Sequence, residues 1–441
     1  MIISISLCLL ISFVRSSPTA SSPPLLLLIS FDGFRWDYPD IYQLPNFNSL
    51  IKRGVRVKHI DNSFATVTFP SHFTMITGLF EETHGIVANV IYDPILNASA
   101  TVKTMNDTKW WSQNAYSQPI WVSNQLAKDS NQRRSGAIAW PGCSTPINGH
   151  LPYRYEEFDY DRKFDTVLKR IFEWFNEPIG TRINFGATYH LEPDATGHKY
   201  GPISSEMNKT LKECDDYVGL LLKSIDDNEY LKQNLNVIIT ADHGMHAVNK
   251  SHQLFLEQYI DKSLCSAYGS HSLANIFVNK DILIVGKIGY QIVVPGDRSS
   301  NLLGNHGYDN RAESMHPIFY GFGPAFRSNL LAEPFRNVDI YPLMSYILRL
   351  DQRNTNGSLD NVKHILVDFS QEKISPFLVI FLLISVIVMA IVYAICACRH
   401  SRKFIYAESN IEPQQYFLLN NDGGSTNNLV VSESEDEQEN T

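Results

Sequence analysis

The chain runs to 441 residues, with 37 Lys and Arg against 46 Asp and Glu and a formal net charge of −9. That length suits two or three domains or one large α/β enzyme, and the acidic balance supplies no basic field for a nucleic-acid polymer. Polymer binding is set aside on that ground.

In chain order, residues 1–20 read as a secretory signal peptide: the apolar core Ile2–Val14 precedes Arg15-Ser16-Ser17-Pro18-Thr19-Ala20, although no basic residue starts it. Leu25–Phe31 is a continuous apolar run between Pro24 and Asp32-Gly33, the pattern of a strand buried on both faces. Pro45–Arg53 reads as a short helix closed by Gly54. The run Thr66-Val67-Thr68-Phe69-Pro70-Ser71-His72 turns at Pro70, taken as the first helical position, into a helix Pro70–Gly78. A helix start of this kind favours a phosphate, which makes Thr68 a candidate nucleophile; a threonine there also serves as a plain helix cap. The stretch itself does not choose between the two.

Ser135–Ala139 is a further strand, and the apolar spacing of Phe164, Val167, Leu168, Ile171, Phe172 and Phe175 predicts an amphipathic helix over Asp161–Asn176. Ile183–Tyr189 and Leu235–Thr240 are buried-strand candidates on either side of a helical Ser204–Asp226. Strands alternating with helices predict an α/β fold with a mostly parallel central sheet flanked by helices. Asp32, Asp194 and Asp242 each fall just past the C-terminal end of such a strand, where open α/β sheets collect ligands.

The main extracellular domain is expected over 24–360, a juxtamembrane linker over 361–376 and a transmembrane helix over 377–398. Phe377–Cys398 carries no charge and is long enough to cross roughly 30 Å of hydrocarbon. The basic cluster Arg399-His400-Ser401-Arg402-Lys403 marks the cytoplasmic side, so the expected topology is single-pass type I at the plasma membrane. The polar tail, 399–441, ends acidic and cannot bury a core. Cys396 and Cys398 at the inner membrane edge are candidates for palmitoylation. Among Cys143, Cys214 and Cys265 an oxidising compartment allows one disulfide, its partners open. Asn97, Asn106, Asn208, Asn249 and Asn356 are glycosylation acceptors by pattern, all between signal and membrane span.

Three clusters carry metal-ligand residues. Glu192 to Pro202 holds Asp194 and His198 four apart in what reads as a Gly- and Pro-containing loop; Asp242 and His243 are adjacent at a strand end; His306 lies in the glycine-rich Asn305–Asn310. With Asp32 they supply three Asp and three His, enough for two sites of mixed N/O coordination, which suits zinc better than calcium or magnesium.

Phe31-Asp32-Gly33-Phe34-Arg35, Thr68-Phe69-Pro70-Ser71-His72, Thr77-Gly78-Leu79-Phe80, His84 to Asn89, Glu192 to Pro202 and Asp242-His243-Gly244-Met245 resemble the ecto-nucleotide pyrophosphatase/phosphodiesterases of the alkaline phosphatase superfamily. The motifs keep their order from about Leu25 to Asp351, and Asn305–Asn310 with Ser314-Met315-His316-Pro317 looks most like the short fourth and fifth members. The resemblance implies one zinc on Asp194, His198 and His306, another on Asp32, Asp242, His243 and Thr68, and a phosphothreonyl intermediate on Thr68. It implies that Asn89 donates to a phosphate oxygen and that Phe69 stacks on a nucleobase. Phe158, or failing it Tyr155, is expected to supply the opposite wall. His72, His84 and His316 are expected to support the site without binding metal, and Trp110, Trp111 and Trp121 to be packing.

This chain departs from the family in having Val67 where a Lys usually precedes the nucleophile, Ser71 where an Asn follows, and Ser144 after Trp-Pro-Gly where many relatives have Asp. The stretch Cys265–Tyr290 is also shorter than expected. The expected activity is hydrolysis of extracellular nucleotides or dinucleotides to nucleoside 5′-monophosphates. Hydrolysis of choline phosphodiesters of lysophospholipids is the alternative within the family, and a catalytically idle adhesion or receptor module the alternative outside it. A sulfatase is disfavoured because Cys143 is followed by Ser144-Thr145-Pro146.

Overall fold

Leu25–Phe31 (β1) is buried along its whole length. Alternation sends Leu26 and Leu28 into one apolar core and Leu25, Leu27, Ile29 and Phe31 into another, on opposite faces of the strand. Each fully buried leucine contributes about 2 kcal/mol by burial, so this run anchors both layers. The computed structural model describes residues 22–112, 114–129, 132–261, 263–270, 272–277, 282–295, 301–367 and 383–397.

Seven further strands complete the sheet: Gly54–Val57 (β2), Ser135–Ile138 (β3), Arg154–Glu156 (β4), Phe185–His190 (β5), Leu235–Thr240 (β6), Phe319–Phe322 (β7) and Leu330–Ala332 (β8). Their order is β8-β2-β7-β6-β1-β5-β3-β4. β7 pairs antiparallel with both neighbours and every other pairing is parallel. The fold is thus the expected alkaline phosphatase-like α/β arrangement, with one reversed strand.

Helices Pro45–Arg53 (α1), Thr68–Thr77 (α2), Phe164–Phe175 (α3), Asp194–Tyr200 (α4), Ser205–Asp226 (α5) and Ile340–Ile347 (α6) position the site. Phe47 and Leu50 of α1, the aromatic stripe of α3 and the buried residues of α5 share one core; Phe73, Met75 and Ile76 of α2 share the other with Leu343 and Met344 of α6. Gly54 joins α1 directly to β2, where a side chain would collide with Phe322 of β7. The Ser204 side chain caps α5 by accepting from the Met207 N–H at 3.0 Å.

Some expectations are corrected. α2 begins at Thr68, two residues before Pro70, and ends where Gly78 turns left-handed at φ 70°. Pro70 is tolerated at the third position because the first-turn N–H groups have no intrahelical partner to lose. The 192–202 segment is not a loop but contains α4. Residues 361–366, expected as linker, belong to the folded body: Val362, Ile365 and Leu366 are buried, and Arg327 and Ala325 bond the backbone of Ile365 and Val367 at 3.0 and 2.9 Å. Among the described residues there is no disulfide: Cys143, Cys214 and Cys265 are free thiols and lie in three different apolar clusters.

One compact unit ends at Val367 and a second spans Asp368–Thr441. In the second, residues 383–397 are helical and expose Leu383, Ile384 and their apolar neighbours. Among the described residues no helix is long and apolar enough to cross a membrane. The expected signal peptide, the tail 399–441 and the remainder of the 377–398 span lie outside them.

Candidate active site

Three adjacent strands end level. Ser30 of β1 pairs with Tyr189 of β5 on one side and Thr240 of β6 on the other, so the chain leaves the sheet three times within one neighbourhood. Backbone bonds then lock the exits: Asp32 N–H to the His190 carbonyl at 2.8 Å and Asp194 N–H to the Asp32 carbonyl at 3.0 Å. The Gly33 N–H donates to Asp242 Oδ1 at 3.1 Å. Gly33 has φ 68°, and a side chain on it would press on Asp194, which accounts for glycine there.

α4 places Asp194 and His198 one turn apart on one face. His198 Nε2 stands 3.3 Å from Asp194 Oδ2, and His306 Nε2 stands 3.6 Å from Asp194 Oδ1. His243 Nε2 lies 3.1 Å from Asp242 Oδ2 and 3.4 Å from Asp32 Oδ1, its ring stacked on His306 at 3.6 Å. All three imidazoles donate Nδ1–H to a backbone carbonyl: His198 to Gly304 at 3.0 Å, His243 to Gly244 at 2.9 Å and His306 to Thr66 at 2.9 Å. That fixes the tautomer and leaves each Nε2 lone pair facing the carboxylates, the arrangement metal-ligating histidines adopt.

The donor set fits cations. Asp32 Oδ1, Asp194 Oδ1 and Asp242 Oδ2 are buried acceptors with no hydrogen-bond donor. Burial pushes the Asp32 carboxyl well above the ordinary range, and the charges of Asp242 and Asp194 add to it. Burial also raises Asp194, but His198, His306 and His243 outweigh it and hold the group at about 2; Asp242 is depressed in the same way by His243 and His72. Burial, with the charge of His243 adding to it, takes His306 down to about 3. Three carboxylates sharing so small a volume call for positive charge beyond what the imidazoles carry. Two compact triads result, Asp32–Asp242–His243 and Asp194–His243–His306, with His243 common to both and His198 at the outer oxygen of Asp194.

Thr68 opens α2 with its Oγ1 3.5 Å from His243 Nε2. Of the first three helical positions, Pro70 has no N–H and the Phe69 N–H is spent on Asn89 Oδ1 at 2.9 Å, so the expected phosphate-binding helix end is reduced to Thr68. The same bond orients Asn89 and leaves its Nδ2 donors for a ligand. Asn89 lines a cavity of about 260 Å³ with Val67, Val90, Val102, His198 and His306.

Phe69 is partly exposed and packs on Trp111 at 5.6 Å; Trp111 in turn packs on Phe73 at 5.3 Å. Trp110, Trp111 and Trp121 are buried packing residues, as expected. Phe158 is exposed and touches Tyr189 at 5.8 Å, which places it at the rim of the site. Tyr155 lies on the edge strand β4 beside Ala137, and among the described residues no ring contact joins either to Phe69. Asn97, Asn106, Asn249 and Asn356 are exposed, whereas Asn208 is half-buried on α5.

Both nitrogens of His72 are used, Nδ1–H on the Thr68 carbonyl at 2.7 Å and Nε2 with Ser30 Oγ at 2.8 Å, so it ties α2 to β1. His84 is likewise satisfied by Ile86 N–H and Thr74 Oγ1 at 3.1 and 2.9 Å. Three site residues escape sequence reasoning. Tyr189 donates its hydroxyl to Asp32 Oδ2 at 2.5 Å, Asn62 holds the Asp242 carbonyl at 2.8 Å, and Ser272 donates to the His306 carbonyl. Only Tyr189 carried a signal, as a polar-tipped residue at the end of a buried strand.

Residues 26–287 match the family model described as type I phosphodiesterase/nucleotide pyrophosphatase. The human bis(5′-adenosyl)-triphosphatase ENPP4 is 36% identical over 397 residues, covering 81% of this chain and 85% of its own. Human ectonucleotide pyrophosphatase/phosphodiesterase family member 5 is 36% identical over 407 residues, covering 81% and 83%. The structure of murine member 5, as an inactive threonine-to-alanine variant in complex with AMP, superposes with a TM-score of 0.73 at 34% identity, over 78% of this chain and all of that one. This chain belongs to the type I phosphodiesterase/nucleotide pyrophosphatase family and is a phosphodiesterase/nucleotide pyrophosphatase, a hydrolase.

Proposed function

We propose that this protein is a cell-surface, two-zinc enzyme that hydrolyses extracellular nucleotides or dinucleotides to nucleoside 5′-monophosphates through a phosphothreonyl intermediate on Thr68. The observation that carries this reading is the Thr68 hydroxyl standing 3.5 Å from His243 Nε2, beside three buried carboxylates with unpaired oxygens. The activity in the name of the human relative and the AMP in the murine structure support a nucleotide substrate.

Zinc ions held by Asp32, Asp242 and His243 and by Asp194, His198 and His306 would favour the Thr68 alkoxide and offset charge on the phosphoryl oxygens. The chain's own residues do the rest. α2 holds Thr68 Oγ1 rigidly through the His72 tie to β1. Asn89 Nδ2 donates to a non-bridging phosphoryl oxygen, and Phe69, backed by Trp111, offers its open face to the base. Thr68 Oγ1 attacks phosphorus in line, the P–O bond to the leaving group breaks, and a nucleoside phosphoryl-threonine remains. Water then attacks the same phosphorus, the bond to Thr68 breaks, and the hydroxyl and a nucleoside monophosphate are released.

Type I anchoring at the plasma membrane and glycan addition rest on sequence pattern: Phe377–Cys398 followed by Arg399–Lys403, and exposed acceptor asparagines. The activity test is hydrolysis by the full chain of ATP, NAD, a diadenosine polyphosphate and a phosphocholine ester, each with and without chelator. Chelator-sensitive release of AMP is expected. Cleavage of the phosphocholine ester alone would move the enzyme to lysophospholipid chemistry, and cleavage of none of these substrates by folded, zinc-loaded protein would leave a binding module.

A further inference from the structure

Each imidazole at the active site spends one nitrogen on a backbone carbonyl and leaves the other bare toward a carboxylate. Among the described residues, His316 repeats part of that signature, with one nitrogen on a backbone carbonyl and the other bare. His316 is buried, at 7% exposure, and its Nε2–H donates to the Asn310 carbonyl at 3.1 Å. Its Nδ1 is sealed from solvent and has no hydrogen-bond partner. His72 and His84, whose environments are equally buried, show no such vacancy, because both of their nitrogens are bonded.

The bare nitrogen has company. His59 and Asp61 flank Ile60 in an extended segment, so their side chains project to one side. His59 Nε2 is 3.2 Å from Asp61 Oδ1, and the His59 ring lies along His316 at 4.3 Å. One donor atom from each of the three residues falls within 4.8 Å of the others. The His59–Asp61 ion pair explains two of these groups and leaves the third, the His316 lone pair, without a purpose. An ion with bonds of about 2.0–2.2 Å places ligands a little over 3 Å apart. The His59–Asp61 spacing already meets that, and the partly exposed His59 ring, which packs on both His316 and Trp36, would turn off the stack to complete it.

We propose that His59, Asp61 and His316 form a third metal site, distinct from the catalytic pair, that takes a divalent transition metal such as zinc. Two imidazoles and one carboxylate are the wrong set for calcium or magnesium, which require oxygen alone, and the exposed edge at Asp61 leaves room for a water as fourth ligand. The site is a clip. It joins the 59–61 segment to the 313–317 segment, and Asn62, next in the chain, binds the carbonyls of Asp242 and Met315 at 2.8 and 3.2 Å. The Gly244 N–H donates to that same Met315 carbonyl at 2.9 Å. The clip therefore backs the strand exit that carries Asp242 and His243.

The test is zinc content of the purified full chain, measured by elemental analysis after equilibrium dialysis against zinc alone. Three zinc per chain are expected for the wild type and two for Asp61→Asn and for His59→Gln, with Thr68→Ala keeping three. Both clip substitutions are at solvent-accessible, similar-sized side chains, and circular dichroism matching the wild type identifies the folded preparations. The same zinc content in wild type and both folded clip variants would overturn the site, whether that content is two or three.

Discussion

The two walls of the active site are built differently. The wall that holds the phosphoryl group comes from strand ends and one helix start, and nearly every side chain in it is buried: Asp32, Asp242 and His243 are at most 1% exposed. The wall expected to hold the nucleoside comes from one partly exposed residue of α2 and a connecting segment, with Phe158 38% exposed. A buried wall of charges leaves little freedom for alteration, since each group partners the next. An exposed aromatic rim is freer to vary, and we propose that substrate choice resides there.

The comparison breaks most directly at the nucleophile. Thr68→Ala should lower turnover of every substrate by about 10³-fold or more while leaving zinc content and fold intact, because only the hydroxyl and one methyl group are removed. Residual activity within tenfold of wild type would mean that the buried wall does not work through Thr68. Asn89→Ala should cost about 10²-fold in kcat with little change in KM, the pattern of a donor used in the transition state.

The first wall was the more legible in the sequence, for physical reasons. β1 and β6 are apolar on both faces and bounded by Asp32-Gly33 and Ala241-Asp242, so their ends, and the acids just past them, are plain. The spacing of Asp194 and His198 brings them together as the sequence suggests, but the loop expected there is a helix of about two turns, which Gly197 and the flanking prolines mask. Tyr189 and Asn62 act through contacts with residues more than a hundred positions away, which no local pattern encodes. The three short strands Ser266–Ser270, Leu273–Phe277 and Ile282–Val285 were unread for a related reason: their apolar residues cover a small cluster of their own and show little alternation.

On the second wall the effects should be smaller and fall on binding. Phe69→Ala should raise KM for nucleotides by roughly 5- to 150-fold, the value of one base–aromatic stack, with kcat less affected. Phe158→Ala should do less, since no ring contact fixes Phe158 against Phe69. If Phe158→Ala exceeds Phe69→Ala in a KM series over adenine and non-nucleotide substrates, the assignment of the two aromatics is reversed.

The smallest effect concerns stability behind the first wall. Burial pushes Glu81 up to about 8, although its Oε1 accepts from Ser63 Oγ at 2.5 Å. A carboxyl whose folded pKa is raised binds its proton more tightly in the native state, so stability is greatest below the unfolded value near 4.5 and falls as pH rises toward 8. Glu81→Gln should remove that loss and raise the melting temperature at pH 8.5 but not at pH 4. Parallel melting curves for the two proteins across that range would show that Glu81 ionises freely in the fold.

The central claim is that Thr68 becomes covalently bonded to phosphorus, and the most direct measurement is the stereochemical course of hydrolysis with a substrate chiral at the attacked phosphorus. Two in-line displacements, first by Thr68 and then by water, predict net retention of configuration. Inversion would mean that water attacks the substrate in a single step, and the account of Thr68 as nucleophile would be wrong.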